Sequence, residues 1–382
     1  MTAAKFRDLL AEPVRNGVYK PKEFHGSGVQ IVNMKELFAF DLLSDQPDAR
    51  IELTPTELSK SRLQDGDLLF ARRSFVLEGA GKCSLVVDPP DALTFESSMI
   101  RARPDPTKAD SRFLFYYFKS PQGRALMASI SARTAVSGIT GSNLSALVLE
   151  VPEIGAQRQI AATLQLFDDL IENNQRRVAV LEEMARAIYR EWFGQFRFPG
   201  HGDVPLVDSD IGRIPATWRA GTLADIVTIG RESVDPSTLD PDTPAVGLEH
   251  IPRQQITLDD WGTAGQQGSR KGVFRKGDVL FGKIRPYFHK VSVAPVDGIC
   301  SIDAIVMRPR AEHWGQAVFT ASSADLVAHA TQTSNGTKMP RADWKVLGRW
   351  PVAVPPTTIA ESFTEIAKEH LVSCQVEALA IC

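Results

Sequence analysis

Residues 157–193 read QRQIAATLQLFDDLIENNQRRVAVLEEMARAIYREWF. Within them Ile160, Leu164, Phe167, Ile171, Asn174, Val178, Leu181, Ala185, Ile188 and Trp192 recur at alternating steps of four and three. This spacing is an unbroken a/d heptad seam, and it predicts one long helix whose narrow apolar stripe packs on another helix. Asn174 is the single polar residue of the seam, where a buried amide serves to fix register. At ~1.5 Å per residue such a helix is about 54 Å long. Strand-like sequence lies on both sides, so the helix reads as a rod holding two globular units at a set distance.

The two flanking stretches echo one another in the same order. Leu63-Gln-Asp-Gly66-Asp67-Leu-Leu69-Phe70 is followed by Arg72 and Arg73, and Phe274-Arg-Lys-Gly277-Asp278-Val-Leu280-Phe281 by Lys283 and Arg285. Each reads as a Gly-Asp turn entering a short buried strand with basic residues at its exit. Residues 98–104, ending in Arg103-Pro104, echo residues 304–309, ending in Arg308-Pro309. Ser137-Gly138-Ile-Thr140 echoes Asn335-Gly336-Thr-Lys338, and Leu149-Glu-Val-Pro152 echoes Val352-Ala-Val-Pro355. Preserved order points to tandem duplication of one α/β unit. The expected layout is a first unit over 1–150, a central helix over 151–195, a connector over 196–215, a second unit over 216–355 and a second helix over 356–382. Ile359, Phe363, Ile366, Leu371, Cys374, Ala378 and Ile381 give that second helix a less regular seam.

Composition fits this architecture: 382 residues, 43% hydrophobic and 23% charged, are enough for two cores. No apolar run is long enough to span a membrane, and charges interrupt the N-terminal stretch where a signal peptide needs apolar residues, so a cytoplasmic protein with no membrane partner is expected. The four cysteines are scattered and read as buried thiols. Net charge is −3, but positive charge concentrates locally. Arg270, Lys271, Arg275, Lys276, Lys283, Arg285 and Lys290 face only Asp278, with Phe274, Phe281, Tyr287, Phe288 and His289 interleaved. A basic stripe of this kind suits phosphate binding.

Catalytic motifs fail on inspection. Gly79-Ala-Gly81-Lys82 resembles the end of a phosphate-binding loop, but Val76 stands for the first glycine and Cys83 for Ser/Thr, so it reads as a hairpin turn. Val87-Asp88-Pro89-Pro90 resembles an amino-methyltransferase loop, yet Asp91 replaces the stacking aromatic. Pro104-Asp105-Pro-Thr-Lys108 has nuclease-type letters at the wrong spacing, and the seven histidines have no metal or triad spacing. No catalytic residue, metal or cofactor is expected.

Pro152-Glu-Ile-Gly-Ala-Gln157-Arg158-Gln-Ile160-Ala161, with Leu164, Asp168, Ile171, Asn174, Leu181, Ala185, Ile188 and Trp192-Phe193, resembles the central conserved region of type I restriction–modification specificity subunits. Ile211-Gly212-x-Ile214-Pro215-x-x-Trp218 resembles the start of that family's second recognition domain. The resemblance covers essentially the whole chain. It implies two α/β target-recognition domains, each reading one half of a bipartite double-stranded DNA site, separated by two long conserved helices in an antiparallel coiled coil. It further implies partnership with two methyltransferase subunits and with restriction subunits, which hold the adenine methylation and ATP-dependent cleavage activities, so the chain itself is expected to be no enzyme. A departure lies at Ala380-Ile381-Cys382, where the family's second helix continues through a further apolar segment. Part of the first helix's seam is therefore expected to lack a partner.

Base reading from loops uses Arg, Lys, Asn, Ser, Thr and aromatic side chains. Candidates in the first unit are Arg72, Arg73, Arg133, Ser137, Thr140 and Asn143; in the second they are Lys283, Arg285, Tyr287, Lys290, Lys338 and Arg341. A competing reading from another class is a protein-assembly scaffold whose duplicated domains bind proteins and no DNA. Salt dependence of binding separates the two.

Overall fold

The computed structural model describes residues 1–74, 79–131, 137–336 and 339–379, the side chains of residues 137 and 372–379 excepted. The chain divides into two compact units, Met1–Asp169 and Leu170–Cys382. The boundary falls inside the long helix, which contributes Ala161 to the core of the first unit and Ala185 and Trp192 to that of the second.

In the first unit, strand Thr2–Lys5 pairs antiparallel with Val148–Val151, so the unit opens and closes on one ladder. A five-stranded sheet places Met99–Ala102 beside Leu68–Ala71, and that strand beside Cys83–Val86. All three strands are buried along their whole length, Ser84 and Arg101 included. A separate sheet pairs His25–Val32 in parallel with Leu93–Phe95. Helices Ser111–Lys119 and Pro121–Ile130 abut at Ser120. It ends the first and caps the second, and Pro121 takes the first helical position, where no N–H donor is needed. Phe6, Phe70 and Phe118 meet edge to face in the core, with centroids 5.0 to 6.0 Å apart.

The second unit repeats this plan. Arg219–Thr222 pairs antiparallel with Pro351–Val354. Ala304–Pro309, Val279–Gly282 and Val291–Val293 follow one another in a sheet, and Pro244–Val246 pairs in parallel with Gly298–Cys300. Helices Trp314–Ala321 and Ala324–Gln332 follow, as their counterparts do in the first unit. The connector contains a hairpin, Leu206–Ser209 with Gly212–Pro215, which the sequence reading did not anticipate. Cys83 and Cys300 are buried free thiols, as expected, and burial pushes the Cys300 thiol up to about 12.

The long helix runs Ile154–Tyr189 and continues as a π-type turn over Arg190–Gly194. It starts before Gln157, whose side chain is itself buried. Its amide donates to the Pro152 and Lys108 carbonyls and accepts from the Asp110 N–H. The seam divides into two parts. Asn174, Val178, Ala185 and Trp192 are buried, with Ile171, Leu181 and Ile188 half-buried. Ile160, Leu164 and Phe167 are exposed, at 42%, 37% and 60%. The second helix, Thr357–Leu379, has 23 residues against 36 in the first.

The described part of that second helix buries Phe363 and Leu371 of its expected seam and adds other positions to the buried face. Ala360, Phe363, Ala367 and Leu371 are buried, while Ile359 and Ile366 are only half-buried. This face packs on Trp314–Ala321, where a Cβ on Gly315 would lie 2.9 Å from the Phe363 ring and 3.0 Å from Ala367. The Thr364 hydroxyl donates to the Glu312 carbonyl and accepts from the Gly315 N–H. Phe363 also meets Trp192 and Phe193, with centroids 5.6 and 4.9 Å away. Packing on the unit's own helix thus brings Ala360 and Ala367 into the buried face beside Phe363 and Leu371. The Cys374 and Ala378 side chains, and Ile381, lie outside the described residues.

Candidate nucleic-acid interface

The repeated Gly-Asp turn is built identically in both units. Gly66 and Gly277 have φ of +82° and +88°, where a side chain would be strained. Their N–H groups donate to the carbonyls of Val86 and Ala294. The next residue, Asp67 or Asp278, is buried and turns inward. Asp67 accepts from the Gln64 N–H at 2.8 Å and takes both guanidinium hydrogen bonds of Arg103, at 2.7 and 2.8 Å. Asp278 accepts from the Arg275 N–H at 2.9 Å and from Arg308 at 3.1 and 3.0 Å. The hydrogen bond that Arg308 donates to Asp278, against the cost of burial, raises the Arg308 pKa above its ordinary value. These are internal bidentate pairs, so Arg103 and Arg308 belong to the frame of the unit. Arg101 is likewise buried, with Glu12 at 2.6 Å.

The strand after the turn delivers basic residues to one exit. Arg72 N–H donates to the Ser98 carbonyl and Lys283 N–H to that of Asp303, each at 2.9 Å. In return the Arg72 carbonyl accepts from Ile139 and the Lys283 carbonyl from Ala342, again at 2.9 Å. Arg72 and Lys283 therefore hold one structural position. Both are half-buried, and Arg73 and Arg285 beside them are exposed. The same ladder corrects an echo of letters. Gly138 pairs with Arg73 and Arg341 bridges Ile284, so Gly138-Ile139-Thr140 matches Arg341-Ala342-Asp343 and not the Gly336 segment. Thr140 and Asp343 then both cap the next short helix, accepting from the Asn143 and Lys345 N–H groups. Asn143 is exposed, and Arg341 is exposed with Asp303 at 3.6 Å. Arg133, Lys338 and the side chain of Ser137 lie outside the described residues.

One position escaped the sequence reading. The Ala71 N–H donates to the Lys82 carbonyl and the Gly282 N–H to the Lys290 carbonyl, so Lys82 is the counterpart of Lys290. Its signal was the two-residue Gly81-Lys82 step after the first strand, which a turn masks. Both ammonium groups donate inward, Lys82 to the Phe38 carbonyl and Lys290 to that of Leu248. Burial, with Arg253 nearby, lowers the Lys290 pKa. Lys290 is thus a brace for its loop.

The basic stripe of 270–290 is not one surface. Arg270 donates to Ser233 and Arg275 pairs with Glu232 at 3.5 Å, before the strand Val279–Gly282; Lys283 and Arg285 follow that strand. Four extended residues separate the two groups by roughly 13 Å.

After Lys283 the chain makes an unusual turn. Arg285 and His289 have φ of +50° and +51° and bracket the turn Pro286–Phe288, and Gln254, whose N–H donates to the His289 carbonyl at 2.8 Å, has φ +61°. Left-handed backbone costs such residues roughly 1–2 kcal/mol each and persists where surrounding contacts over-determine it. Here His289 Nε2 donates to the Ser322 carbonyl at 3.0 Å and Arg253 stacks 4.2 Å from the Phe288 ring centroid. Burial, opposed by that hydrogen bond and aided by Arg186, holds the His289 pKa below the ordinary imidazole value. Tyr287 stands at the apex, 53% exposed. Among the described residues no cluster of three His, Cys, Asp or Glu has metal-binding geometry, and no helix is long and apolar enough to cross a membrane.

Two α/β units of one plan thus each present basic side chains from the same strand exit. Residues 50–183 match the family model of the type I restriction modification DNA specificity domain. The chain is 33% identical over 167 residues to the EcoKI specificity subunit of Escherichia coli K12, covering 42% of this chain and 35% of that protein. It is 24% identical over 211 residues to the MjaIX specificity subunit of Methanocaldococcus jannaschii, covering 55% and 47%. The matches thus span about half the length of these curated relatives, or less. The fold is also that of the type I restriction–modification S subunit from M. genitalium, at TM-score 0.53 and 14% identity over 100% of this chain and 92% of that one. Over part of its length the chain is thus similar to type I restriction–modification specificity subunits.

Proposed function

We propose that the chain reads a bipartite double-stranded DNA target, one half-site per unit, and carries methyltransferase and restriction subunits to it. The observation that carries this reading is the common position of Arg72 and Lys283, fixed by the same backbone hydrogen bonds in both units, each with an exposed arginine within two residues. Arg72, Arg73, Thr140, Asn143, Lys283, Arg285, Tyr287 and Arg341 are the reading candidates, with Lys290 acting through its loop. The first helix and the second pair as the spacer that sets the gap between half-sites, and the exposed Ile160, Leu164 and Phe167 await a partner surface. Two methyltransferase subunits are the partners in this reading, and the complex works in the cytoplasm.

The test is a binding titration across salt with Lys283→Ala and Arg285→Asn together. Asparagine is the apt replacement at residue 285, since it tolerates left-handed backbone better than alanine. Loss of two phosphate contacts should lower affinity about tenfold or more and flatten the slope of log affinity against log salt by about 1–2. Arg270→Ala with Arg275→Ala, at the other end of the strand, should leave the slope unchanged. Equal behaviour of the two pairs refutes the assignment. Arg308 is no neutral control, because it neutralises Asp278.

The purified chain alone should show no methylation, ATP hydrolysis or DNA cleavage. Steady turnover without partner subunits contradicts the reading.

A further inference from the structure

The long helix does more in the second unit than fill a seam. Glu182 is buried, and its carboxylate accepts from the Ile256 N–H at 3.0 Å and from both the N–H and the hydroxyl of Thr257 at 2.7 Å. It therefore fixes the segment that begins at Gln254. Arg186, one turn on, donates to Glu182 at 3.3 Å, to the Gln254 carbonyl at 3.2 Å, and to the Ser322 carbonyl and hydroxyl at 3.5 Å.

Gln254 and Ser322 are the two residues that grip His289, through its carbonyl and its ring. Both ends of that grip are in contact with one guanidinium. The clamp continues into the strand beyond, where the Ser292 hydroxyl donates to the Gln255 carbonyl and the Val293 N–H to that of Ile256. A buried carboxylate saturated by backbone donors holds a fixed geometry, and a planar guanidinium can bridge several acceptors at once. The turn these residues grip is the strained one that lifts Tyr287 and Arg285 to the surface.

We propose that Glu182 and Arg186 are positioning residues that hold the Arg285–His289 turn in its DNA-reading conformation, so that the helix sets the aim of the second unit. The proposal rests on the DNA-reading function above. Helix residues that touch no DNA then determine how sharply one half-site is discriminated.

The test uses the full chain with its methyltransferase partner, on duplexes carrying the target found by sequencing methylated host DNA. Two further duplexes have one or the other half-site scrambled. Arg186→Ala and Glu182→Gln should each reduce discrimination at the second unit's half-site by about tenfold, the equivalent of one good base contact. Discrimination at the first unit's half-site should stay within about twofold of the parent. Arg186→Lys keeps the charge but not the planar fork, and should fall between parent and alanine. It also decides the matter by the same split if the alanine variant does not fold. Unchanged discrimination at the second half-site, or equal loss at both, overturns the clamp. If the parent discriminates and the variants match it, only the clamp fails; if the parent binds all duplexes alike, the reading beneath it fails too.

Discussion

Replacing Asp67 or Asp278 by alanine should cost roughly 3–5 kcal/mol of folding stability, the range for leaving a buried ionic partner uncompensated. Asp67 is wholly buried and its partner Arg103 is about one-fifth exposed, so the stranded guanidinium has little access to water. Glu12 lies 2.9 Å from Arg103 and would absorb part of the charge, which places the expected loss toward the lower end. At Asp278 the relief is weaker, since Glu232 lies 3.7 Å from Arg308 and is itself shared with Arg275. Each substitution also removes the acceptor for a turn N–H, of Gln64 or Arg275. Urea unfolding of each unit's variant, followed by circular dichroism, measures the loss. A change under about 1 kcal/mol at both positions would mean that the pairs are solvated and do not frame the units. Because the same pair recurs at the same place, the two variants should also resemble each other more than either resembles a surface control.

That pair marks the limit of what the sequence discloses. The Gly-Asp echo is visible in the letters, but the role of the aspartate depends on an arginine 36 residues away in one unit and 30 in the other. No local pattern announces such a contact. The long helix is legible because helical spacing is a local property, and Asn174, Val178, Ala185 and Trp192 of its expected seam are buried. The face of the second helix is less so, since Ala360 and Ala367 join Phe363 and Leu371 where it packs on Trp314–Ala321, a contact that Gly315 permits. The match between Gly138 and Gly336 fails for a related reason: equivalence is fixed by backbone ladders, and the ladder aligns Gly138 with Arg341. Charge density along the chain was similarly a poor guide to charge on the surface. Strand geometry sends Arg275 and Lys283 to opposite ends, and Lys290 bends inward to a carbonyl. The strained turn at Arg285 was outside the reach of sequence reading, because neither Arg285 nor Gln254 is a residue that favours left-handed backbone.

The central claim is that two copies of one unit each read half of a DNA site independently. Strands Arg219–Thr222 and Pro351–Val354 close the second unit on a single ladder, which makes residues 216–355 a natural segment to exchange. The donor should keep a glycine at the position of Gly315, against which Phe363 packs, and a hydroxyl at Thr257 for Glu182. With the exchanged chain and its methyltransferase partner in a host lacking other systems, sequencing of methylated bases reports the site directly. The account predicts that one half of the recognised sequence changes to that of the donor while the other half and the gap remain. A methylation pattern in which both halves change together, or neither does, would contradict it.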